Sequence, residues 1–352
     1  MSTLDNSVNK YRQELLSGND KAIQELVRAH QKTWLKLKPE LDTITKKYWD
    51  AVKSGKKISP SWLFRQERYQ SLMRQTEEEL KSLAKLGAQI TNSEVSKALK
   101  LGEKHAQQLT LDVLGTPPKP VVDAGYGVRW DKLPKNATEK IVGYLQDGSP
   151  VKRLLNRYST EAAQGIKDGL ITGISTGKNP NVIAVNLKRE FGANLQNITT
   201  VCRTETLRVY RQTQLDSYKN NKDVVDKWVW HSDKSSRTCL TCVLMHGEVF
   251  DLDQELNDHP NGRCSRVPKT KTWAELFPDV DMTGISETSI QVPKGLDTFK
   301  DLPIKSQQEL LGKTKYAAYK DGKLDINDVI GVKKNKDFGD MPIIRTLGEL
   351  NI

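Results

Sequence analysis

The segment WVWHSDKSSRTCLTCVLMHGEVFDLDQELNDHPNGRC, residues 228–264, holds three of the four cysteines of this 352-residue chain at short, regular intervals. Two residues separate Cys239 from Cys242, sixteen more lead to His259, and four separate His259 from Cys264. Two close pairs joined by a loop match the spacing of a tetrahedral zinc site, in which a Cys-x2-Cys turn presents two thiolates. The sequence therefore predicts a structural zinc bound by Cys239, Cys242, His259 and Cys264.

Other interpretations of the same residues stay open. A thioredoxin-type redox pair should open a helix at its first cysteine, whereas MHGEVFD indicates a second strand. Unliganded core cysteines are another alternative. His246 is a rival ligand four residues beyond Cys242, although Gly247 predicts a turn that would place His246 behind the ligands. Catalytic zinc, with Glu248 or Asp251 as base, needs an open coordination position, and four protein ligands leave none.

The sequence around this segment predicts an α+β protein that is mostly α-helical. A strand begins near Val225, where apolar residues start to alternate. The expected parts are a helical arm over 1–116, a linker rich in Pro and Gly over 117–135, a helical core over 136–222, a β-rich, zinc-knuckle-like module over 223–275, and a segment over 276–352 that folds back on the core and has a flexible end.

Within the arm, apolar residues spaced by threes and fours predict helices. The first 55 or so residues indicate a helical hairpin with a break or a kink near Pro39. Ser59 and Pro60 then predict the start of a long helix with a coiled-coil-like seam that continues to about Leu114. Two ordinary antiparallel helices are the alternative. Three or four short helices are expected over 136–222, one helix over 299–324, and an irregular tail over the last 25 or so residues.

The helix over 198–219 places Glu205 on a largely apolar face with Ile198, Cys202 and Val209. A carboxylate there needs a cation, and Arg208 is the nearest in sequence. We therefore expect Glu205 and Arg208 to form a structural ion pair, with a catalytic role as the weaker alternative.

Composition narrows the function classes. The net charge is +11, and residues 1–135 hold 24 Lys and Arg against 16 Asp and Glu, giving +8, whereas 136–352 hold 31 against 28, giving +3. This bias favours contact with nucleic acid or an acidic protein surface. No apolar run approaches the length of a membrane span, and MSTLDNSVNK lacks the features of a secretory signal. We expect a cytosolic product with reduced thiols and no membrane contact.

The order of these motifs resembles the phage Mu F-like, or head-morphogenesis, family of minor capsid proteins over about 140–345. The resemblance rests on the turn STGKNPN, the Arg203-Thr204-Glu205 helix with its later Arg and Tyr, and the strand and cysteine segment up to HPNGRC. The residues that carry it are Arg203, Thr204, Glu205, Arg211, Tyr218, Trp230, Arg237, Thr238, Cys239, Cys242, His246, Gly247, Phe250 and Cys264. The family pattern ends in His followed by Cys-Arg-Cys, and Gly262 replaces the first of those cysteines.

This resemblance implies a non-enzymatic minor head protein, present in few copies. Such a protein would bind the portal and the scaffold or major capsid protein during assembly in the host cytoplasm, and would stay inside the virion head with double-stranded DNA until ejection. Alternatives from other classes are a zinc-dependent nuclease and a zinc-ribbon DNA-binding protein. The first lacks a compact acid and base constellation, and the second lacks a basic recognition helix after its ligands.

Overall fold

A computed structural model describes residues 3–56, 58–146, 150–233, 235, 238–285 and 292–352. Helices predominate and the two sheets are small and antiparallel, which confirms the predicted α+β, mostly helical class. The helices are α1 (Thr3–Lys53), α2 (Pro60–Phe64), α3 (Glu67–Leu114), α4 (Lys119–Asp123), α5 (Lys135–Gln146), α6 (Pro150–Ser175), α7 (Pro180–Asn220), α8 (Leu240–Met245), α9 (Trp273–Leu276), α10 (Gly295–Lys300), α11 (Ile304–Leu311) and α12 (Lys313–Lys320). The strands are β1 (Val225–His231), β2 (Val249–Asp251), β3 (Ser265–Thr270), β4 (Ile330–Lys333) and β5 (Met341–Ile344).

Contacts group the described residues into two units. Unit 1 takes its residues from 1–16, 97–142 and 207–352, and unit 2 takes its residues from 17–96 and 143–206. Each unit is thus assembled from segments that are far apart in sequence. The domain boundaries predicted near residues 116, 135, 222 and 275 stay predictions.

Unit 2 is helical and buries the predicted apolar stripes. Leu37, Leu41, Ile44 and Tyr48 of α1 are all at most 4% exposed. The predicted hairpin over the first 55 residues is wrong, because α1 continues through Pro39. Proline inside a helix costs about 3 kcal/mol or more, and the buried side chains on both sides of Pro39 offset that cost.

The predicted long helix exists and is continuous as α3, so the alternative of two antiparallel helices is wrong. It begins at Glu67 rather than Pro60, because the short helix α2 precedes it. At 1.5 Å per residue α3 is about 72 Å long. Its glycines allow close helix approach rather than a break. A Cβ atom at Gly102 would lie 2.8 Å from the carbonyl oxygen of Tyr210 in unit 1.

Other helices also differ in length from the prediction. The described residues of 136–222 hold three helices, a number within the predicted three or four, but α6 with 26 residues and α7 with 41 are long rather than short. The single helix expected over 299–324 is divided into separate helices, with Gly312 at φ +82° between α11 and α12. Strands β4 and β5 pair as an antiparallel hairpin where an irregular tail was expected. No helix of the described residues is both long and apolar enough to cross a bilayer.

Unit 1 is built around the strand predicted at Val225. This strand, β1, lies between β2 and β3 and pairs antiparallel with both. One face of the sheet packs Trp228 and Trp230 into a buried cluster that includes Tyr218 of α7. The opposite face packs Val229 and Val267 against a set of residues from the two ends of the arm: Leu4, Val8, Tyr11, Leu109 and Val113.

The C-terminal segment of unit 1 packs on α8. Leu240, Val243 and Leu244 of this short helix are buried against a cluster that contains Phe299, Leu311, Tyr316, Leu324, Ile326 and Val329. The backbone N–H of Gly295 donates to the carbonyl oxygen of His246, at 2.6 Å. These contacts hold α8, and with it Cys242, against the C-terminal segment.

Candidate metal centre

The four predicted ligands lie on the connections that join the strands of the three-stranded sheet. Cys239 is the N-cap residue of α8 and Cys242 lies in its first turn. His259 lies in the loop between β2 and β3, and Cys264 immediately precedes β3. Because β2 and β3 flank β1, the sheet brings the two sequence pairs to one place.

Three of the predicted ligands form a compact triplet. Nε2 of His259 is 3.5 Å from Sγ of Cys239 and 3.5 Å from Sγ of Cys242. A tetrahedral zinc with Zn–S of about 2.3 Å and Zn–N of about 2.0 Å requires an S···N separation of about 3.5 Å. The triplet Cys239, Cys242 and His259 therefore has the donor types and spacing that a zinc ion needs.

The fourth predicted ligand lies in a second triplet that shares Cys242. There, the donor atoms of Cys242, Asp258 and Cys264 lie within 4.8 Å of one another. Sequence reasoning missed Asp258. Its position directly before His259 in NDHPNGRC was the available signal, since carboxylates are ordinary metal ligands. The cluster thus offers five donors rather than four.

The loop HPNG orients His259. Gly262 N–H donates to the carbonyl oxygen of His259 at 2.8 Å, and Asn261 has φ +61°, as the third residue of a type II turn requires. Nδ1 of His259 lies 3.0 Å from the carbonyl oxygen of Pro260. A hydrogen bond from Nδ1–H to this oxygen leaves Nε2 facing the two sulfur atoms, which is the tautomer that a metal requires.

The thiols and the imidazole influence one another strongly. The hydrogen bond with Cys242, together with that from His259, lowers the pKa of Cys239 to about 4. The bond with Cys239 raises the pKa of His259 to about 9, and it also raises the pKa of Cys242. Without metal, the cluster therefore favours a Cys239 thiolate beside a protonated His259. A divalent cation would replace these protons.

Asp258 is held by an arginine from α7. Its side chain is 0% exposed, and Oδ2 accepts hydrogen bonds from Nη2 of Arg211 at 2.8 Å and from the backbone N–H of Cys264 at 3.3 Å. Arg211 also donates to the carbonyl oxygens of Gly262 and Cys264, at 2.7 and 2.8 Å. The guanidinium group thus fixes both the loop and the carboxylate.

The glycine that departs from the family pattern has a structural reason. A Cβ atom at Gly262 would approach all three carboxylate atoms of Asp258 more closely than real Cβ atoms ever come. The Asp258 carboxylate occupies the space that a side chain at 262 would need. A cysteine at 262 and this placement of Asp258 are therefore incompatible.

The sequence argument against a thioredoxin-type redox pair at Cys239 and Cys242 is wrong in one respect. A helix, α8, does open at Cys239, and the expected second strand begins only at Val249. The segment LTCVLM forms a helix because its apolar residues pack on the C-terminal cluster. The helix at Cys239 is therefore compatible with a redox pair. The approach of His259 to both sulfur atoms, however, favours metal binding.

His246 and the two proposed acidic bases occupy other positions. His246 is 0% exposed, its Nδ1 accepts the backbone N–H of Ser232 at 3.1 Å, and it belongs to neither donor triplet of the described residues. Glu248 and Asp251 form surface ion pairs with Lys294 and Lys227. Among the residues described, none of these three joins the cluster.

The Arg-Thr-Glu helix is part of α7. Arg203 pairs with Asp20 of α1 in unit 2, at 2.9 Å. Glu205 is 2% exposed and Arg208 is half-buried, and both have interaction partners, so their mutual ion pair stays a prediction. Arg237 lies outside the described residues.

Buried cations support the sheet, and sequence reasoning missed them. Arg12 of α1 is 4% exposed, lies 3.1 Å from Nδ1 of His231 and forms an ion pair with Asp233 at 3.3 Å. Arg266 is 2% exposed, lies over the ring of Trp228 and donates to the carbonyl oxygen of Arg211. Neither arginine has a sequence signal, because its partners are distant in the chain.

A small sheet with a loop-borne cluster of Cys, His and Asp residues defines the class: a protein whose loops carry a cluster of donors that could hold a metal ion. Residues 164–267 match the model of the family described as Phage Mu protein F like protein. This range contains the Arg203-Thr204-Glu205 helix and all four predicted ligands, and it confirms the resemblance to the Mu F-like family of phage head proteins over that part of the chain.

One curated relative is similar over a limited stretch. The NAD(+)–arginine ADP-ribosyltransferase EFV of Enterococcus faecalis (strain ATCC 700802 / V583) is 29% identical over 112 residues, which is 31% of this chain. The chain spans only 23% of that protein's length. No solved structure matches the chain.

Proposed function

We propose that this chain is a minor head protein of a tailed phage or prophage, and that it acts as a structural component rather than as an enzyme. The observation that carries this proposal is the match to the Mu F-like family over 164–267. The proposed location is the host cytoplasm during assembly and then the interior of the virion head.

The proposed role of the metal is structural. A zinc ion bound by Cys239, Cys242 and His259, with a fourth donor from the second triplet, would tie α8 to the loop before β3. Because α8 also packs on the C-terminal cluster, such an ion would link three parts of unit 1. Small modules of this kind gain folding free energy from the metal.

The proposed partners are the portal protein, the scaffold or major capsid protein, and packaged DNA. The excess charge of +8 over residues 1–135 supports contact with a polyanion or an acidic portal surface. A role in packaging or ejection would follow from retention beside the DNA.

Coexpression tests the partner assignment. The full chain is produced with the portal protein encoded in the same genome, and portal rings are isolated by sedimentation. We expect the chain to sediment with the rings and to leave plasmid DNA intact in the presence of Zn²⁺ or Mg²⁺. A chain that fails to bind the rings and cleaves DNA when metal is added would contradict the proposal and favour the nuclease alternative.

Metal analysis tests whether the chain binds the proposed structural zinc ion, which is called the zinc clasp because it ties α8 to the loop before β3. The purified full chain should contain about one zinc per chain, and Cys239→Ser should lose it. Cys202→Ser is the matched control, because Cys202 is a buried thiol of unit 2 that belongs to neither donor triplet. A fully folded wild-type chain that contains no metal would refute the clasp.

A further inference from the structure

We propose that Asp258 is a direct metal ligand, which completes the site with Cys239, Cys242 and His259, and that the Cys264 thiol is not a ligand. This inference rests on the proposed zinc clasp and deepens it. It changes the site from the three-sulfur set that the sequence predicts to a two-sulfur set with one nitrogen and one oxygen.

The first argument is distance. Oδ1 of Asp258 is 3.7 Å from Sγ of Cys242 and 3.7 Å from Nε2 of His259. With Zn–O of about 2.0 Å, a tetrahedral site requires about 3.5 Å between oxygen and sulfur and about 3.3 Å between oxygen and nitrogen. A shift of a few tenths of an ångström therefore brings Oδ1 to a ligand position beside both.

The second argument is orientation. Oδ2 is held by Arg211 and by the backbone N–H of Cys264, and this fixes the plane of the carboxylate. Oδ1 accepts the backbone N–H of His259 at 2.9 Å and faces the Cys242 thiol. Carboxylates that bind metal ions are typically oriented in this way, by hydrogen bonds that neighbouring residues donate to them.

The third argument concerns Cys264. Its backbone serves the site, because its N–H donates to Asp258 and its carbonyl oxygen accepts from Arg211. Its side chain lies in the buried cluster around Trp228 and Trp230, in which the Cys242 side chain also lies. The Cys264 thiol and the Asp258 carboxylate share the second donor triplet with Cys242, so both are candidates for the fourth ligand position. The distances of Oδ1 of Asp258 from Cys242 and His259 favour the carboxylate.

The fourth argument is charge. The Asp258 side chain is 0% exposed and the Arg211 side chain is 9% exposed, so both charges are removed from water. Two thiolates and one carboxylate balance one divalent cation and one guanidinium. A third thiolate would give these groups one excess negative charge, and a buried charge is costly in a protein interior.

X-ray absorption of the zinc-loaded full chain tests the ligand set. We expect about two sulfur and two nitrogen or oxygen neighbours per zinc. Cys264→Ser should leave the sulfur number unchanged, whereas Cys242→Ser, like Cys239→Ser, should lose the zinc. Asp258→Cys should raise the sulfur number from about two to about three, because the new thiol would occupy the ligand position.

The outcomes separate this inference from the zinc clasp itself. A wild-type chain with about three sulfur neighbours, one of which is lost in Cys264→Ser, would overturn the assignment of Asp258 while leaving the clasp intact. An unchanged sulfur number in a folded Asp258→Cys chain that binds zinc would also overturn it. A wild-type chain that binds no zinc would refute both. Circular dichroism of each variant establishes that it is folded.

Discussion

Gly262→Ala is the substitution whose effect follows most directly from the geometry. Gly262 is not among the residues with positive φ, so alanine introduces no backbone strain there. The added Cβ atom would lie 2.0 Å from Oδ2 of Asp258, and a tolerable contact requires at least 3.0 Å. The carboxylate must therefore move by about 1 Å, which lengthens its 2.8 Å hydrogen bond to Arg211 beyond bonding distance.

The magnitude follows from the burial of this ion pair. Separating a buried pair leaves an uncompensated charge and costs about 3–5 kcal/mol. For a unit of this size, that loss corresponds to a decrease in Tm of roughly 6–20 °C. Urea unfolding followed by near-ultraviolet circular dichroism reports on it, because Trp228 and Trp230 pack in the same cluster as Cys264.

Two further variants make the result specific. Gly192→Ala is the matched control, because Gly192 lies in α7, is exposed and has no atom near an added Cβ; we expect it to stabilise by about 0.5–1 kcal/mol. Gly262→Ala combined with Asp258→Ala removes the collision, so the double variant should lose less stability than the sum of the single variants. A Gly262→Ala chain within about 0.5 kcal/mol of the wild type would refute the reasoning.

Three further predictions concern buried polar groups. Arg12→Leu should destabilise the chain by about 3–5 kcal/mol in urea unfolding, because it leaves the buried acceptors around His231 without their cation; a loss below 1 kcal/mol would argue against this. Burial lowers the pKa of His30 in the folded state. As the pH falls below about 6.5, the unfolded state therefore binds a proton before the folded state does. The free energy of unfolding should then decrease by up to about 1.4 kcal/mol per pH unit. His30→Gln should reduce this slope, and an unchanged slope would assign the effect to other groups. After chelation, iodoacetamide at pH 6 should modify Cys239 in preference to Cys202, whose pKa burial raises to about 11; mass spectrometry measures the order, and prior modification of Cys202 would contradict it.

The sequence predicted the donor types of the candidate metal cluster where the signal was local. Cys-x2-Cys and His-x4-Cys identify donor types within a few residues of one another, and the structure brings these donors around Cys242. The strand at Val225 and the apolar stripe of α1 were likewise predicted from periodicity. Such patterns depend only on backbone geometry, so they can be identified without knowing the path of the chain.

Helix lengths and connections were predicted less well. Pro39 indicated a break, yet burial of Leu37 and Leu41 outweighs its local cost. Cys239 and Cys242 were predicted to lie on a turn, yet the apolar residues of 240–245 pack on residues 50 to 90 positions later and form α8. In both cases tertiary packing decided against local propensity.

By itself, then, the sequence determined the candidate donors Cys239, Cys242, His259 and Cys264, the helical class of the protein and the resemblance to phage head proteins. Only the tertiary structure decided which donors meet, and it added Asp258, whose carboxylate Arg211 orients from 47 residues away. The physical reason is that donor spacing is fixed along the chain. The position of a buried carboxylate, in contrast, depends on a partner cation that folding brings to it and on the absence of a side chain at Gly262.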